Sequence, residues 1–180
     1  MHRRKLLQAL KDYAARHPEE QATVDRFNQL VASHANCFER DCWAGHITGS
    51  AWLLDPGHQR LLMTHHRKLN MWLQLGGHSD GDPDTARVAL REAGEESGLS
   101  VGLLSDQIFD IDIHEIPERK GDPAHYHFDV RYQLQTLAED FVVSEESIDL
   151  AWVPLETLRN YTTEESILRM LRKWRTTSAS

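Results

Sequence analysis

The sequence has few of the features that mark secreted, membrane-spanning or nucleic-acid-wrapping proteins. Cys37 and Cys42 are its only cysteines. No apolar run approaches the roughly 20 residues that a membrane-spanning helix needs. The basic start, MHRRKLLQAL, is not followed by the apolar core of a signal peptide. We therefore predict reduced thiols, a cytoplasmic location and no membrane partner.

Positive charge is also scarce. The 180 residues include 20 lysines and arginines against 28 aspartates and glutamates, which gives a formal net charge of −8 with histidine neutral. Since phosphate contacts dominate nucleic-acid affinity, this balance argues against a long nucleic acid as partner. It leaves open a small phosphorylated substrate, such as a nucleotide, whose charge is met by a metal ion.

The N-terminal part of the chain has the apolar spacing of two amphipathic helices, at residues 3–15 and 19–35. Pro18 ends the first pattern and suits the first turn of the second helix. The apolar positions are Leu6, Leu7, Leu10 and Tyr13, then Val24, Phe27, Leu30 and Val31. We predict that residues 1–44 form a helical extension and that residues 45–180 form the main domain.

From residue 45 the pattern changes to short strands joined by turns. The predicted strands cover residues 47–54, 60–64, 71–75, 109–114, 127–134 and 148–153. Gly76-Gly77 is expected to stop the third strand. Asp84 suits the N-cap of a helix of about 13 residues that ends at Gly98. Thr162 and Glu165 form a capping box for a final helix. Mixed strands around a helix, with helices at both ends, predict an α/β sandwich.

The helix expected after Asp84 carries an unusual group of acidic residues. Glu92, Glu95 and Glu96 are spaced so that their carboxylates project from one helix face within a single turn. Three like charges held this close repel one another unless a cation lies among them. Oxygen ligands favour a hard divalent ion, Mg²⁺ first and Mn²⁺ second, and Mg²⁺ completes its shell with water and substrate phosphates. The spacing predicts metal-assisted attack on a phosphoanhydride.

These glutamates lie in a stretch that resembles the Nudix box, G-x5-E-x7-R-E-U-x-E-E-x-G-U, in which U is a bulky apolar residue. The matching residues are Gly77, Arg91, Glu92, Glu95, Glu96, Gly98 and Leu99. Two positions depart from the pattern. Ala93 replaces its first apolar residue, which is a mild change. Pro83 replaces its first glutamate and removes a carboxylate, and Asp82 or Asp84 offers one nearby.

The resemblance implies a Nudix-type α/β/α sandwich with a mixed sheet. It also implies a Mg²⁺-dependent hydrolase that cleaves a phosphoanhydride bond in a nucleoside diphosphate linked to another moiety. Similar proteins bind metal through the later glutamates of the box, here Glu92, Glu95 and Glu96. In them an arginine at the position of Arg91 orients these glutamates through a buried ion pair. A homodimer is common among such proteins.

Two further roles follow from the same resemblance. In similar proteins a glutamate in the loop before the last strand helps to deprotonate the attacking water. Glu145 and Glu146 stand in that loop, and we choose Glu145. Gly76 and Gly77 let the backbone turn tightly and approach the metal–phosphate cluster, or form an ordinary turn.

Histidine is abundant, with 11 residues. We predict substrate contacts for His78, His127 and Arg131. His125 and His127 share a strand face, because their spacing is two. Imidazole suits Mn²⁺, Fe²⁺ or Zn²⁺ better than Mg²⁺. A histidine metal site would resemble the isopentenyl diphosphate isomerase branch of the same superfamily, although no cysteine base is evident near these histidines. A zinc site from Cys37, Cys42 and a nearby histidine, His34 or His46, is a further alternative.

Two classes of function therefore stand beside each other. The first is the metal-dependent hydrolase, with isomerase chemistry as a minor variant. The second is a non-catalytic Nudix-like nucleotide-binding module in which Pro83 marks a degraded site. The three retained glutamates favour the enzyme. The box does not select a substrate, since specificity depends on loops and pocket shape.

Overall fold

The structure, a computed structural model, describes residues 3–119, 121–145 and 147–177. The helices are α1 Arg4–Arg16, α2 Gln21–Ser33, α3 Thr85–Ser97 and α4 Glu165–Thr177, with 3₁₀ turns at Pro18–Glu20 and Leu158–Asn160. The strands are β1 His46–Leu54, β2 Arg60–His66, β3 Met71–His78, β4 Val101–Leu103, β5 Asp110–Ile116, β6 His125–Thr136 and β7 Ser147–Pro154. None of the helices in these ranges is long and apolar enough to span a membrane.

The strands form one sheet in the order β4-β6-β1-β3-β2-β7, and β5 pairs with β6 beside this path. Strands β2 and β7 pair antiparallel with Leu61 opposite Val153. Strands β5 and β6 also pair antiparallel, with Ile113 opposite Phe128. The α/β fold with a mixed sheet and N-terminal helices, which the sequence predicts, is confirmed.

The chain divides into two compact units. The first unit comprises the described residues of 1–50, 76–89 and 106–132, and the second those of 51–75, 90–105 and 133–180. Helices α1 and α2 belong to the first unit, where their predicted apolar positions are buried except for Leu7, which is exposed. Phe27 of α2 meets Phe128 of β6 edge to face, with ring centroids 5.1 Å apart. The separate extension at residues 1–44 stays a prediction.

The start of α3 packs closely on β1 in the first unit. A Cβ atom on Gly49 would lie 2.8 Å from the backbone oxygen of Thr85 and 2.9 Å from Cγ1 of Val88. Only glycine allows this approach, since side-chain atoms do not come so close without a shift of the backbone. A hydrogen bond of 2.8 Å joins the hydroxyls of Thr85 and Tyr132 in the same contact. The first turn of α3 is therefore fixed against the sheet.

The second unit is built on the hairpin β1–β2 and its neighbours. Its buried apolar side chains include Leu61, Leu62, Met63, Leu150, Val153, Leu158, Ile167 and Leu171. The Thr64 and Ser147 hydroxyls are 2.6 Å apart and join β2 to β7. Asp55 closes the turn before β2, because its carboxylate accepts hydrogen bonds from the backbone of Gln59 and Arg60.

The structure differs from the sequence predictions at several element boundaries and in one additional strand. Strand β3 does not stop at Gly76-Gly77 but continues to His78. The short strand β4 was not expected. Helix α4 begins at Glu165, and the Thr162 hydroxyl accepts a hydrogen bond from the backbone of Glu164 rather than Glu165. The predicted capping box is therefore replaced by a turn just before the helix.

Candidate functional site

Helix α3 presents the three glutamates of the box, and its ends are as predicted. It covers the 13 residues Thr85–Ser97. The Asp84 carboxylate lies 3.4 Å from the backbone nitrogen of Arg87, as a long N-cap contact. At the other end Gly98 has φ of 70° and donates a hydrogen bond of 2.8 Å to the Gly94 oxygen. A left-handed glycine is the usual end of a helix.

The carboxylates of this helix, which we call the carboxylate face, differ in exposure. Glu96 is only 8% exposed, Glu92 is half-buried and Glu95 is exposed. In the described part of the chain they are not among the groups whose donor atoms all lie within 4.8 Å of one another. Two oxygens on one Mg²⁺, each about 2.1 Å from the ion, are no more than about 4.2 Å apart. The three carboxylates would therefore have to rotate toward one another to share one ion.

Arg91 pairs with the first of these glutamates. Its Nη2 lies 2.7 Å and its Nε 3.2 Å from Oε1 of Glu92. The side chains are 33% and 18% exposed, so the ion pair is half-buried rather than buried. The predicted role of Arg91 in orienting the other glutamates stays a prediction.

Glu145 lies in the turn just before β7, and its side chain is exposed. Arg67 holds this turn, because its Nε donates to the Glu145 backbone oxygen at 3.0 Å and its Nη2 to the Ser147 oxygen at 2.7 Å. Glu146, the alternative, lies outside the described residues. The role of Glu145 as a base stays a prediction.

The carboxylates on either side of Pro83 are held by cations. Asp82 accepts two hydrogen bonds of 2.6 Å from Arg87. Lys5 bonds Asp84 at 2.7 Å, which together with Arg87 holds the pKa of Asp84 below its usual value against the effect of burial. Neither is therefore a ready substitute for the missing glutamate of the box.

Gly76 serves close packing rather than a tight turn. A Cβ atom there would lie 2.3 Å from the Ser50 hydroxyl and 2.7 Å from its Cα. Gly77 and His78 follow in the same strand. The predicted approach of Gly76 and Gly77 to a phosphate stays a prediction. Both residues lie within β3, and Gly76 has a φ of 156°, which itself favours glycine.

The first unit also holds a group of four close imidazole rings, which we call the histidine cluster: His46, His78, His125 and His127. Ring centroids of His46 lie 4.9 Å from His125, 4.8 Å from His127 and 5.2 Å from His78. One donor atom from each of His46, His125 and His127 lies within 4.8 Å of the others. His78 is 5.0 Å from His127 by ring centroid. The cluster thus includes both histidines that we predicted to contact substrate.

Burial and neighbouring groups lower the pKa of three of these histidines, His46, His78 and His127, and so favour their neutral form. Burial first, and then the neighbouring rings of His78 and His46, lower the pKa of His127 to about 2. Burial likewise lowers the pKa of His78 to about 4, with Arg40 as the next cause. The pKa of His46 is lowered by burial and by His125. A neutral imidazole has one nitrogen lone pair free to bind a metal.

A polar ladder holds the strands that carry the cluster. In the sheet β6 lies next to β1. Asp129 of β6 accepts hydrogen bonds from the hydroxyls of Thr48 at 2.8 Å and Ser50 at 2.7 Å on β1. Since alternate residues of a strand share a face, these side chains extend the rows that begin at His46 and His127.

Arg131 continues the ladder and is 1% exposed. Its guanidinium lies 2.7 Å from Asp129, 3.2 Å from Asp110 and 3.5 Å from Asp112. Three carboxylates therefore contact the Arg131 guanidinium, which we predicted to contact substrate. This burial favours a structural role for Arg131.

The remaining candidates are core or surface residues. Cys37 and Cys42 are free and buried, and burial raises the pKa of the Cys37 thiol to about 11. Neither belongs to a three-donor group among the described residues, so the alternative zinc site is not supported.

His46 was missed as a member of the site, because it was considered only beside the cysteines. The signal was present in the sequence. Residues 46, 48 and 50 read His-Thr-Ser, and residues 125, 127, 129 and 131 read His-His-Asp-Arg. Polar residues at every second position of two buried strands indicate a polar face within the sheet.

Comparisons with known proteins agree with this fold. A search of curated proteins found no match. Among solved structures, the chain is similar to a NUDIX-family hydrolase from Clostridium perfringens, with 25% identity, 73% of this chain and 97% of that chain covered, and a TM-score of 0.54. It is similar to an Ap4A hydrolase from C. elegans, with 18% identity, 74% and 97% covered, and a TM-score of 0.54.

A third similar structure is the NUDIX domain of NrtR from Shewanella oneidensis in complex with ADP ribose. It has 16% identity and a TM-score of 0.54, and 83% of this chain and 97% of that chain are covered. The sequence of this chain matches the model of a protein family described as NUDIX domain, over residues 46–174. The match extends from the first residue of β1 into α4. This chain therefore belongs to the NUDIX domain family.

Proposed function

We propose that this protein is a Mg²⁺-dependent hydrolase, with Mn²⁺ as an alternative, that cleaves a phosphoanhydride bond in a nucleoside diphosphate linked to another moiety. The observation that carries the proposal is the carboxylate face of α3. Glu92, Glu95 and Glu96 share one side of a helix that ends at Gly98. Family membership supports the same reading.

The proposed role of each of these glutamates in metal binding depends on its exposure. Glu96, which is buried, and Glu92, which Arg91 holds at 2.7 Å, would provide fixed oxygens for the metal. Glu95 is exposed and would complete the set from the solvent side. When bound, Mg²⁺ neutralises phosphate charge and activates a water. Glu145 would take the proton from the attacking water. Attack on one phosphorus would form a new P–O bond, break the anhydride P–O bond and release the other phosphate group as the leaving group.

The proposed substrate class is supported by the compounds that the names of similar structures mention. One similar structure is named as an Ap4A hydrolase, and another holds ADP ribose. Both ligands contain nucleoside phosphates joined through anhydrides. Their low identity carries the fold alone, so we infer a small nucleotide-like substrate and not one of these two compounds. A homodimer and a cytoplasmic location stay predictions.

The test is release of phosphate and nucleotide from a panel of nucleoside diphosphate derivatives, with Mg²⁺ or Mn²⁺. Glu96→Gln keeps the size of the side chain and removes its charge, so it should abolish turnover. Glu156→Gln, on an exposed residue after β7, is the matched control and should retain it. If the wild type hydrolyses no member of the panel with either metal, the proposal is contradicted.

The binding-module alternative has one observation in its favour. Pro83 has replaced a carboxylate, and cations already hold Asp82 and Asp84. If the panel is silent, nucleotide binding without turnover would identify this alternative. Isomerase chemistry has less support, because the buried thiol of Cys37, with its pKa raised to about 11, is a poor base.

A further inference from the structure

We propose that the first unit contains a second metal site, made of His46, His125 and His127, which binds a divalent transition-metal ion of the Zn²⁺ class. The site uses none of the glutamates of α3. The proposal goes beyond the hydrolase function and does not depend on it.

Two of the three rings have buried nitrogens without a hydrogen-bond partner among the described residues. His46 is 2% exposed, and neither of its ring nitrogens has a hydrogen-bond partner among the described residues. The carbonyl of Cys42 lies near this ring but outside hydrogen-bond geometry. Nε2 of His127 is also buried without a partner among the described residues. Buried polar atoms are nearly always paired, so unpaired ones in a cluster point to an absent ligand.

The three rings also converge on one point. Three donor atoms lie within 4.8 Å of one another, one from each histidine. A tetrahedral Zn²⁺ with nitrogens at about 2.1 Å draws its donors to roughly 3.4 Å apart. Binding of the ion would therefore require the rings to rotate toward one another. Three histidine ligands leave a fourth position for water or a substrate oxygen, which is the arrangement of a catalytic rather than a closed structural site.

Neighbouring groups hold the histidine rings and their strands in place. Nδ1 of His125 lies 2.8 Å from the Pro123 oxygen. If the ring donates this hydrogen bond, Nε2 is left with its lone pair for a metal. Metal-binding histidines almost always have such a partner on the other nitrogen. The Asp129 ladder fixes β6 against β1 and so holds His127 and His46 in register.

The donor type selects the metal. Imidazole nitrogen is a borderline ligand that suits Zn²⁺, Co²⁺, Ni²⁺ and Cu²⁺, whereas Mg²⁺ prefers oxygen. The neutral imidazole is the form that binds a metal. His78 contacts His46 and His127 by its ring but is not one of the three converging donors. We therefore assign it to the edge of the site.

The experiment measures Zn²⁺ affinity of the full chain by competition with a chromogenic chelator, and Co²⁺ binding by visible absorption. We expect one ion per chain. His46→Asn and His127→Asn should each lower Zn²⁺ affinity by at least about 100-fold, since loss of even a supporting partner costs 10–100-fold. His78→Asn should have a smaller effect.

Two controls separate this site from the rest of the molecule. His65→Asn removes a histidine of the second unit that bonds Asn70, and it should bind Zn²⁺ like the wild type. The triple variant Glu92→Gln, Glu95→Gln and Glu96→Gln should also retain Zn²⁺ while losing any hydrolysis. Unchanged affinity in the His46 and His127 variants, or loss of Zn²⁺ in the triple variant, would overturn the proposal.

A measurement on the wild type covers the case in which a variant does not fold. Zn²⁺ should shift the ring-nitrogen resonances of His46, His125 and His127 in a long-range ¹H–¹⁵N spectrum. Those of His65 should not move. If Zn²⁺ leaves the three cluster histidines unshifted, the site does not exist.

Discussion

The carboxylate face and the histidine cluster are two different ways of gathering metal donors. The carboxylates come from one helix, they range from buried Glu96 to exposed Glu95, and their oxygens are spread. The four histidines come from three strands, β1, β3 and β6, and His46 and His125 are almost fully buried. A helix places donors by its local spacing, whereas a sheet places them through the pairing of strands that are distant in sequence.

The difference shows how each site is maintained. Arg91 supports the carboxylate face through a half-buried contact with one glutamate. The strands behind the histidine cluster are held by the buried contacts of Asp129 and Arg131. The helical set therefore tolerates change with little effect on folding, while the sheet set depends on the stability of the first unit.

The largest expected effect comes from breaking the support of the histidine strands. Arg131→Ala leaves the buried carboxylates of Asp110 and Asp129, and the half-buried one of Asp112, without their cation. It should lower the free energy of unfolding by about 3–5 kcal/mol. Denaturant unfolding measures this loss. Arg91→Ala is the counterpart on the carboxylate side and should cost no more than about 1 kcal/mol. Equal losses would contradict the contrast between the two sites.

The next effect concerns catalysis. Glu96→Gln removes a metal-binding charge from the carboxylate face, and a metal supplies several kcal/mol of transition-state stabilisation. Turnover should fall at least about 100-fold, measured as kcat on the best substrate of the panel. Thermal stabilisation by Mg²⁺ should disappear as well. Retained Mg²⁺-dependent turnover would remove Glu96 from the site.

A smaller effect is expected at Gly76, where β3 approaches Ser50. A Cβ atom there would lie 2.3 Å from the Ser50 hydroxyl, and Gly76 has a φ of 156°, which L side chains rarely adopt. Gly76→Ala should therefore cost about 1–3 kcal/mol through overpacking and backbone strain. Gly102→Ala is the control, because nothing lies within 4 Å of the added atom. If both variants melt at the same temperature as the wild type, the close approach has no structural role.

The smallest effect tests how α3 is anchored. Tyr132→Phe removes the buried hydrogen bond to Thr85 and should cost about 1 kcal/mol of unfolding free energy. The burial that raises the pKa of Tyr132 to about 12 also excludes water as a replacement partner. Tyr161→Phe, on an exposed ring, should leave the unfolding midpoint unchanged.

The sequence predicted the helical site better than the sheet site. Glu92, Glu95 and Glu96 lie within one turn, so their common face follows from local spacing alone. The ends of α3 followed in the same way from Asp84 and Gly98, whose roles depend on adjacent backbone. The sequence also predicted that His125 and His127 share a face.

The pairing of His46 with these histidines was beyond local reasoning. It requires β1 and β6 to be neighbours, although they are far apart in the chain. The burial of Arg131 was missed for the same reason, because Asp110 and Asp112 reach it from β5. An arginine on a strand otherwise indicates a surface, unless its carboxylate partners are known.

The extension of β3 to His78 has a consequence for the evolution of this chain. Because His78 ends a strand, the hydrogen-bonded sheet determines its position, and the loop that follows does not. Insertions or deletions between this strand and α3 would therefore change the contour and charge of the segment while leaving the histidine where it is. Such a segment can acquire new ligand preferences by drift, and swapping it between relatives is a practical route to altered specificity.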